Sequence, residues 1–307
     1  MNSTEDTGLI LWVSNDQIRI LHQGIEKEVT LPGRWRLTSF GQRPVAPGDI
    51  VNVKEKDKGL SLIDVLPRRN EFTRKVAGER TLPQVAAANI DQVLVMAAIV
   101  SPRTSLGLID RLLVTAAIGG VPSQLILNKC DLASKSRIEE LWQIYSSAQI
   151  PVHFISIMTR EGVEPLKIML QGKLTLLAGQ SGVGKSSLAN VVQPGLDLRT
   201  GEVSSVTGKG RHVTTSARLH PLNGGGWLID TPGLRECAPY GLTKQNLLFA
   251  FPEIEANARD CKFRNCLHKD ELGCGVMVAV ENGDIPEPRY ETYRKLLIEA
   301  EMNERKY

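Results

Sequence analysis

Residues 179–186, Gly179-Gln180-Ser181-Gly182-Val183-Gly184-Lys185-Ser186, match G-x-x-x-x-G-K-[ST] at every fixed position. An apolar run at 174–178 precedes them, and a helix is expected over 186–192, opening with Ser186 and Ser187. That context turns a glycine-rich stretch into a phosphate cradle. Glycines let backbone N–H groups face inward around a β-phosphate, and the helix aims its N-terminal dipole at the same anion. Lys185 is expected on the β- and γ-phosphates, where it serves binding and catalysis, and the Ser186 hydroxyl on Mg2+.

Asn128-Lys129-Cys130-Asp131 follows the apolar run 124–127 and fits N-K-x-D. A carboxylate at Asp131 can accept two hydrogen bonds from guanine, whereas adenine would leave it unpaired. Four residues alone also suit a surface turn; beside a complete phosphate loop they point to guanine. Cys130 occupies the variable position and reads as a bystander. Asp230-Thr231-Pro232-Gly233 fits D-x-x-G, with Asp230 toward Mg2+ and the Gly233 N–H toward the γ-phosphate. Between these motifs lies residues 208–215, where Thr214 or Thr215 can close the Mg2+ shell, Thr214 being slightly favoured. A further guanine contact is expected at Ser156. Leu234 stands where Ras-like enzymes carry a water-orienting glutamine, so intrinsic hydrolysis is expected to be slow.

The order of the motifs is unusual. N-K-x-D at 128–131 precedes the phosphate loop, whereas ordinary GTPases end on it. The same sheet can be built if the chain ends are moved, because domain termini tend to lie close together. A permuted domain ends just after D-x-x-G, so nucleotide state is expected to pass into residues 241–307.

Cys261, Cys266, His268 and Cys274 form C-x4-C-x-H-x5-C. Three thiolates and an imidazole complete a tetrahedral set, so one structural zinc is expected and no open catalytic position. Iron–sulfur binding fits less well because of the histidine. The segment is too small to bury much apolar area, and the metal would supply its folding energy.

These groups need a scaffold of 307 residues, enough for about two or three domains. A hydrophobic share of 42% excludes a mostly disordered chain. No apolar run reaches the ~18–20 residues of a membrane span, and the polar start MNSTEDTG is not a secretory signal, so a cytoplasmic location is expected. Five cysteines, an odd count, argue against a disulfide framework. Net charge is −1 over 1–66, +6 over 67–240 and −2 over 241–307, with a basic cluster at Arg68, Arg69, Arg74, Lys75 and Arg80 that could meet phosphates.

Short strands at 9–13, 17–21, 26–31, 50–53 and 60–65 suit a closed OB-type barrel. Residues 67–84 read as a basic linker. Strands at 93–99, 124–127, 152–157 and 174–178 alternate with helices at 106–117, 137–147 and 186–192, the pattern of a parallel α/β sheet. Two further strands are expected at 218–221 and 227–229. The expected division is 1–66 for the barrel, 67–84 for the linker, 85–240 for the permuted GTPase domain and 241–307 for a helical zinc domain, giving a multidomain α/β protein. His22, His153 and His220 fall in strand-like stretches and read as structural.

The motifs together resemble the RsgA (YjeQ) family, the circularly permuted, small-ribosomal-subunit-dependent GTPases. The likeness runs through residues 65–69, 87–91, NKCD, GQSGVGKSS, GRHVTT, DTPG, the cysteine cluster and GDIPEPRYETYRKL at 283–296. It implies slow GTP hydrolysis stimulated by the 30S subunit, a role in late 30S maturation and contact with 16S rRNA. It also implies that His212 positions the attacking water, with an rRNA contact as the other reading of that histidine. Val213 and Ile157 depart from the family pattern. A monomer is expected, with any RNA-binding face of the barrel near Arg34, Trp35 and Arg36. The alternatives are an RNA-binding scaffold with a structural nucleotide and, less well supported, a small-molecule kinase.

Overall fold

A computed structural model of the chain describes residues 6–14, 17–30, 45–56, 59–75, 83–196, 198, 217–230 and 238–305. Strands β1 (Asp6–Val13), β2 (Ile18–His22), β3 (Ile25–Val29), β4 (Ile50–Lys56) and β5 (Gly59–Val65) pair antiparallel. Thr30 closes the ring, donating its N–H to the Leu60 carbonyl and accepting from Leu62 N–H, both at 3.2 Å. Closure leaves no strand edge to aggregate. Ile10, Ile18, Ile20, Val51, Val53 and Leu62 fill the interior.

A bulge between Ile10 and Trp12 interrupts β1. Successive side chains of the strand alternate faces, so Ile10 packs inside the barrel while Leu11 packs into the core of the α/β sheet, and the bulge shifts the phase so that Val13 again faces the barrel. Trp12 then pairs with Arg218, the first residue of β12 (Arg218–Pro221). The barrel and the α/β sheet are thus hydrogen-bonded into one eleven-stranded sheet.

The linker expected at 67–84 carries structure. Residues 71–75 form β6 (Glu71–Lys75), which pairs antiparallel with β7 (Pro83–Ala88). The reason is Phe72, fully buried in the main core despite its polar neighbours. One member of the basic cluster, Arg68, turns inward. Arg68 grips the buried Asp49 carboxylate through Nε at 2.7 Å and Nη2 at 2.8 Å, and reaches Glu71 at 2.9 Å. Its hydrogen bond to Asp49 raises the guanidinium above its ordinary range, against the opposing effect of burial. Arg69 pairs with Asp91, and Arg74 donates to Gln84. Arg68 thus staples the barrel to the sheet and is spent on carboxylates, whereas Arg69 and Arg74 lie at the surface. Gly48 sits at the joint with φ +92°, where a Cβ would lie 2.1 Å from the Ala88 carbonyl oxygen.

The α/β sheet runs β10-β9-β8-β11-β13-β12, parallel except for β12. Its strands are β8 (Gln92–Ala98), β9 (Ser123–Asn128), β10 (Val152–Ile155), β11 (Leu174–Ala178) and β13 (Trp227–Asp230). Every residue of β8 and β11 is buried, as parallel strands covered on both faces require. Val93, Val95 and Ala97 pack under α1 (Leu106–Ile118) and α2 (Lys135–Ser146). Leu94, Met96 and Ala98 pack on the opposite face with α3 (Val163–Leu170) and α4 (Lys185–Val192). The chain winds outward from β8 to β10 and returns to β11 on the other side of β8, creating a topological switch point between those strands.

Helices α5 (Lys244–Phe249), α6 (Pro252–Ala258), α7 (Gly275–Glu281) and α8 (Glu287–Glu304) form the C-terminal unit. Its core includes Val114 of α1, so it is packed onto the sheet domain. Among the described residues no helix is long and apolar enough to cross a membrane.

The Arg68–Asp49 staple is testable. Removing one partner of a buried pair costs about 3–5 kcal/mol, and partial exposure of Arg68 places Arg68→Ala toward the lower end. The expected result is a lower urea midpoint for the variant; an unchanged midpoint would remove the staple from the stability of this joint.

Candidate functional site

All the described nucleotide motifs lie at the carboxyl edge of the parallel strands. The phosphate loop leaves β11 and enters α4, N-K-x-D begins at the last residue of β9, Ser156 follows β10, and Asp230 ends β13. That edge, beside the switch point, is where open α/β sheets place their ligands.

The loop is locked by close backbone approaches. A Cβ on Gly179 would sit 2.2 Å from the Met96 carbonyl oxygen, and one on Gly184, at φ +105°, 2.5 Å from Asn128 Nδ2. Asn128 explains the second constraint. Its Nδ2 donates to the Val183 carbonyl at 2.8 Å, and its Oδ1 accepts the Ile157 N–H at 3.3 Å. One buried amide therefore ties the phosphate loop, β9 and the loop after β10 together. Val183 itself is fully buried, whereas Gln180, Ser181 and Gly182 line an open rim and Ser187 lies half-buried in the first turn of α4.

Lys185 is buried, with Nζ donating to the Gly179 and Gln180 carbonyls at 2.8 and 2.9 Å. Burial lowers its pKa and Asp230 opposes that shift. A phosphate beside the ammonium favours the charged form in the same sense. Ser186 Oγ donates to Asp230 Oδ2 at 3.3 Å, and Asp230 Oδ1 is buried with no hydrogen-bond partner. A hydroxyl beside an orphaned carboxylate oxygen fits a hard cation with oxygen ligands, as Mg2+ is.

Lys129 adopts the left-handed conformation at φ 67° and donates from Nζ to the Ser101 carbonyl. Asp131, in the short turn Cys130–Leu132, is exposed and available to a base. The Cys130 thiol is buried near the Glu161 carboxylate at 3.8 Å; burial first, then Glu161 and Asp131, push its pKa up, which keeps it unreactive. Ser156 is fully buried and its Oγ accepts the Thr159 N–H at 3.1 Å, so its hydroxyl shapes the turn that displays Met158. The Ser101–Ser105 loop reaching the phosphate rim was not among the expected site residues; the Ser101-Pro102 turn closing the apolar run was its one signal. His212, Thr214, Thr215, Gly233 and Leu234 lie outside the described residues, as do Arg34, Trp35, Arg36 and Arg80. His22 pairs with Asp6 at 2.7 Å, and His153 lies 2.8 Å from Gln124 Oε1. Burial lowers the pKa of His153 and of His220, in keeping with structural roles.

Cys261, Cys266, His268 and Cys274 converge, their ligand atoms all within 4.8 Å of one another. Cys261 Sγ lies 3.9 Å from Cys274 Sγ and 3.4 Å from His268 Nδ1, and Cys274 Sγ lies 3.6 Å from the same nitrogen. Sulfurs bound at ~2.3 Å to a tetrahedral ion stand ~3.8 Å apart, whereas a disulfide needs ~2.05 Å. The four groups thus fit a metal ion. Burial pushes Cys266 up to about 12 and raises Cys274, while the backbone N–H groups of His268 and Met277 work against the rise. A bound cation inverts that balance by holding the thiolate forms. The knuckle is held by Glu271, which accepts N–H bonds from Leu267 and Lys269 at 2.7 and 2.8 Å, and by Tyr290, whose hydroxyl donates to the His268 carbonyl at 2.8 Å.

Comparison with known proteins agrees with this geometry. The family model described as RsgA GTPase matches residues 65–239. A curated protein of Gemmatimonas aurantiaca, named small ribosomal subunit biogenesis GTPase RsgA, is 38% identical, with 96% of this chain and 97% of that protein covered. A protein of the same name from Moorella thermoacetica is 39% identical over 90% of this chain and 91% of its own. Among solved structures, YjeQ from Thermotoga maritima superposes with a TM-score of 0.77 at 32% identity, covering 96% of this chain and 98% of that one. YloQ, described as a circularly permuted GTPase, gives 0.70 at 26% identity over 97% and 96%. With its motifs in permuted order on one sheet edge, and with relatives this similar along nearly its whole length, the chain belongs to the RsgA GTPase family.

Proposed function

We propose that this chain is a GTP-hydrolysing factor of small ribosomal subunit biogenesis, acting on the 30S subunit late in its maturation through contact with 16S rRNA. The observation that carries the reading is the Asn128 bridge, which holds a phosphate loop and a guanine-selecting turn on one sheet edge. Inward amides of residues 179–187 would surround the phosphates. Lys185 would exchange its two carbonyl partners for β- and γ-phosphate oxygens and stabilise charge that develops there. Asp131 would accept hydrogen bonds from guanine, with Lys129 and Ser156 shaping that pocket. Mg2+ supplies charge neutralisation to the phosphates; Ser186, Asp230 and Thr214 or Thr215 are the residues that would hold it. Gly233 would sense the γ-phosphate, and His212 would orient water once the 30S subunit orders its loop.

The Cys261–Cys266–His268–Cys274 set favours one structural zinc, since soft thiolates with one imidazole and no open position suit that ion. We further propose functional units at 1–66, 85–240 and 241–307 joined by 67–84, a monomeric state and a cytoplasmic location. Membership of the RsgA family supports each of these.

Turnover, base selectivity and zinc content test the reading. Phosphate release should be slow for the chain alone and rise on titration with purified 30S subunits, and His212→Ala should lower the stimulated rate by about 10²-fold or more with GTP affinity nearly intact. Equal rates with and without subunits would leave only a scaffold. Asp131→Asn should weaken GTP binding by about 10–150-fold, the scale of losing a hydrogen bond to a charged group, and favour xanthine nucleotides; undiminished GTP affinity refutes the base assignment. Elemental analysis should find one zinc per chain and none in Cys274→Ser. Because protons compete for thiolates, zinc retention should fall as pH falls.

A further inference from the structure

The loop between β8 and α1 forms a wall of the nucleotide pocket that none of the recognised motifs contains. Pro102 lies against the phosphate loop, its Cδ 3.4 Å from where a Gly182 Cβ would stand. Lys129 donates to the Ser101 carbonyl. Thr104, 3% exposed, pins the loop twice: its Oγ1 accepts the Ala98 N–H and its own N–H donates to the Ala98 carbonyl, both at 3.0 Å. Ser105 then caps α1.

The same helix carries a fully buried charge. Asp110 accepts from Arg289 Nη1 of α8 at 2.6 Å, and Arg289 Nε donates to Glu253 of α6 at 2.7 Å. The guanidinium, 1% exposed, lies 4.4 Å from the centre of the Phe251 ring and 5.7 Å from that of Tyr145 in α2. Arg289 Nη2, Asp110 Oδ2, Glu253 Oε2 and the Tyr145 hydroxyl are all buried without a hydrogen-bond partner. Three such atoms around a guanidinium that itself holds an unpartnered nitrogen are the setting for ordered internal water. Buried ions at this density tolerate little displacement, because a part-separated pair leaves charge unsolvated.

We propose that Asp110, Arg289 and Glu253 form a positioning latch: seating α8 on α1 holds the Ser101–Thr104 loop against the phosphate loop and Lys129, so guanine-nucleotide affinity depends on the docking of the C-terminal helix. The inference rests on the nucleotide reading above. Coupling of this kind is reciprocal, so nucleotide must also strengthen the docking of α8. The route runs through α1, separate from the chain connection that follows D-x-x-G.

A fluorescent GDP analogue titrated into the full-length, metal-loaded protein tests it, with circular dichroism and thermal melts checking that each variant is folded at the assay temperature. Arg289→Lys, which keeps the charge and loses the fork, should raise Kd about 5–150-fold. Thr104→Val should do the same, and the double variant should match the single ones instead of multiplying them. Lys295→Gln breaks an exposed ion pair with Glu291 within α8, away from α1, and should stay near wild type. If Arg289→Lys fails to fold, Glu253→Gln takes its place. In wild-type protein, GDP should slow amide exchange in α8, and Thr104→Val should abolish that slowing. Wild-type affinity in both latch variants, multiplicative effects, or α8 exchange indifferent to GDP overturns the latch alone. A wild-type chain that does not bind the analogue overturns the nucleotide reading and the latch with it.

Discussion

Everything at the sheet edge depends on one buried side-chain amide. Asn128 donates to Val183 and accepts from Ile157, so the phosphate cradle, the guanine turn and the loop after β10 cannot move independently. In this permuted chain those segments are far apart in sequence, and no local turn could bring them together. The amide does so because both halves of its hydrogen-bonding capacity are spent on backbone groups that burial would otherwise leave unpaired. It also explains the glycine at 184, since any Cβ there would collide with Asn128.

Charge is used in the same economical way at the two ends of the α/β domain. On the barrel side, Arg68 satisfies Asp49; on the C-terminal side, Arg289 pairs with Asp110 and Glu253 through one hydrogen bond each. Both arginines present planar forks to carboxylates, a geometry lysine cannot reproduce. Each lies within or beside a segment that family resemblance singles out, 65–69 and 283–296, yet neither touches the nucleotide motifs. Their identity is explained by joining domains that would otherwise meet through small apolar patches.

Much of the fold was legible in the sequence where pattern and burial coincide. Continuous apolar runs marked β8, β9 and β11, because parallel strands are covered on both faces; the glycine spacing marked the phosphate loop, because only glycine tolerates those approaches. What was illegible depends on contacts with distant residues. Strand β6 has one buried hydrophobe, Phe72, among polar neighbours, and reads as a linker until its core partner is known. Helix α3 spans eight residues and gave too little periodicity to detect. Arg68 looked like part of a free basic face because its buried partner Asp49 is remote in sequence. The buried orientation of Ser156 follows from a hydrogen bond to Thr159, which residue type alone does not specify.

Strand β1 has a consequence for modularity. By sending Ile10 into the barrel and Leu11 into the neighbouring core, while Trp12 pairs with Arg218, a single strand belongs to two folding units at once. Excising the first 66 residues would strip a strand neighbour from β12 and uncover apolar surface beside Leu219, creating a sticky sheet margin in place of a clean boundary. The barrel is therefore grafted in and not merely tethered, and a truncated enzyme would inherit a wound as well as a deletion.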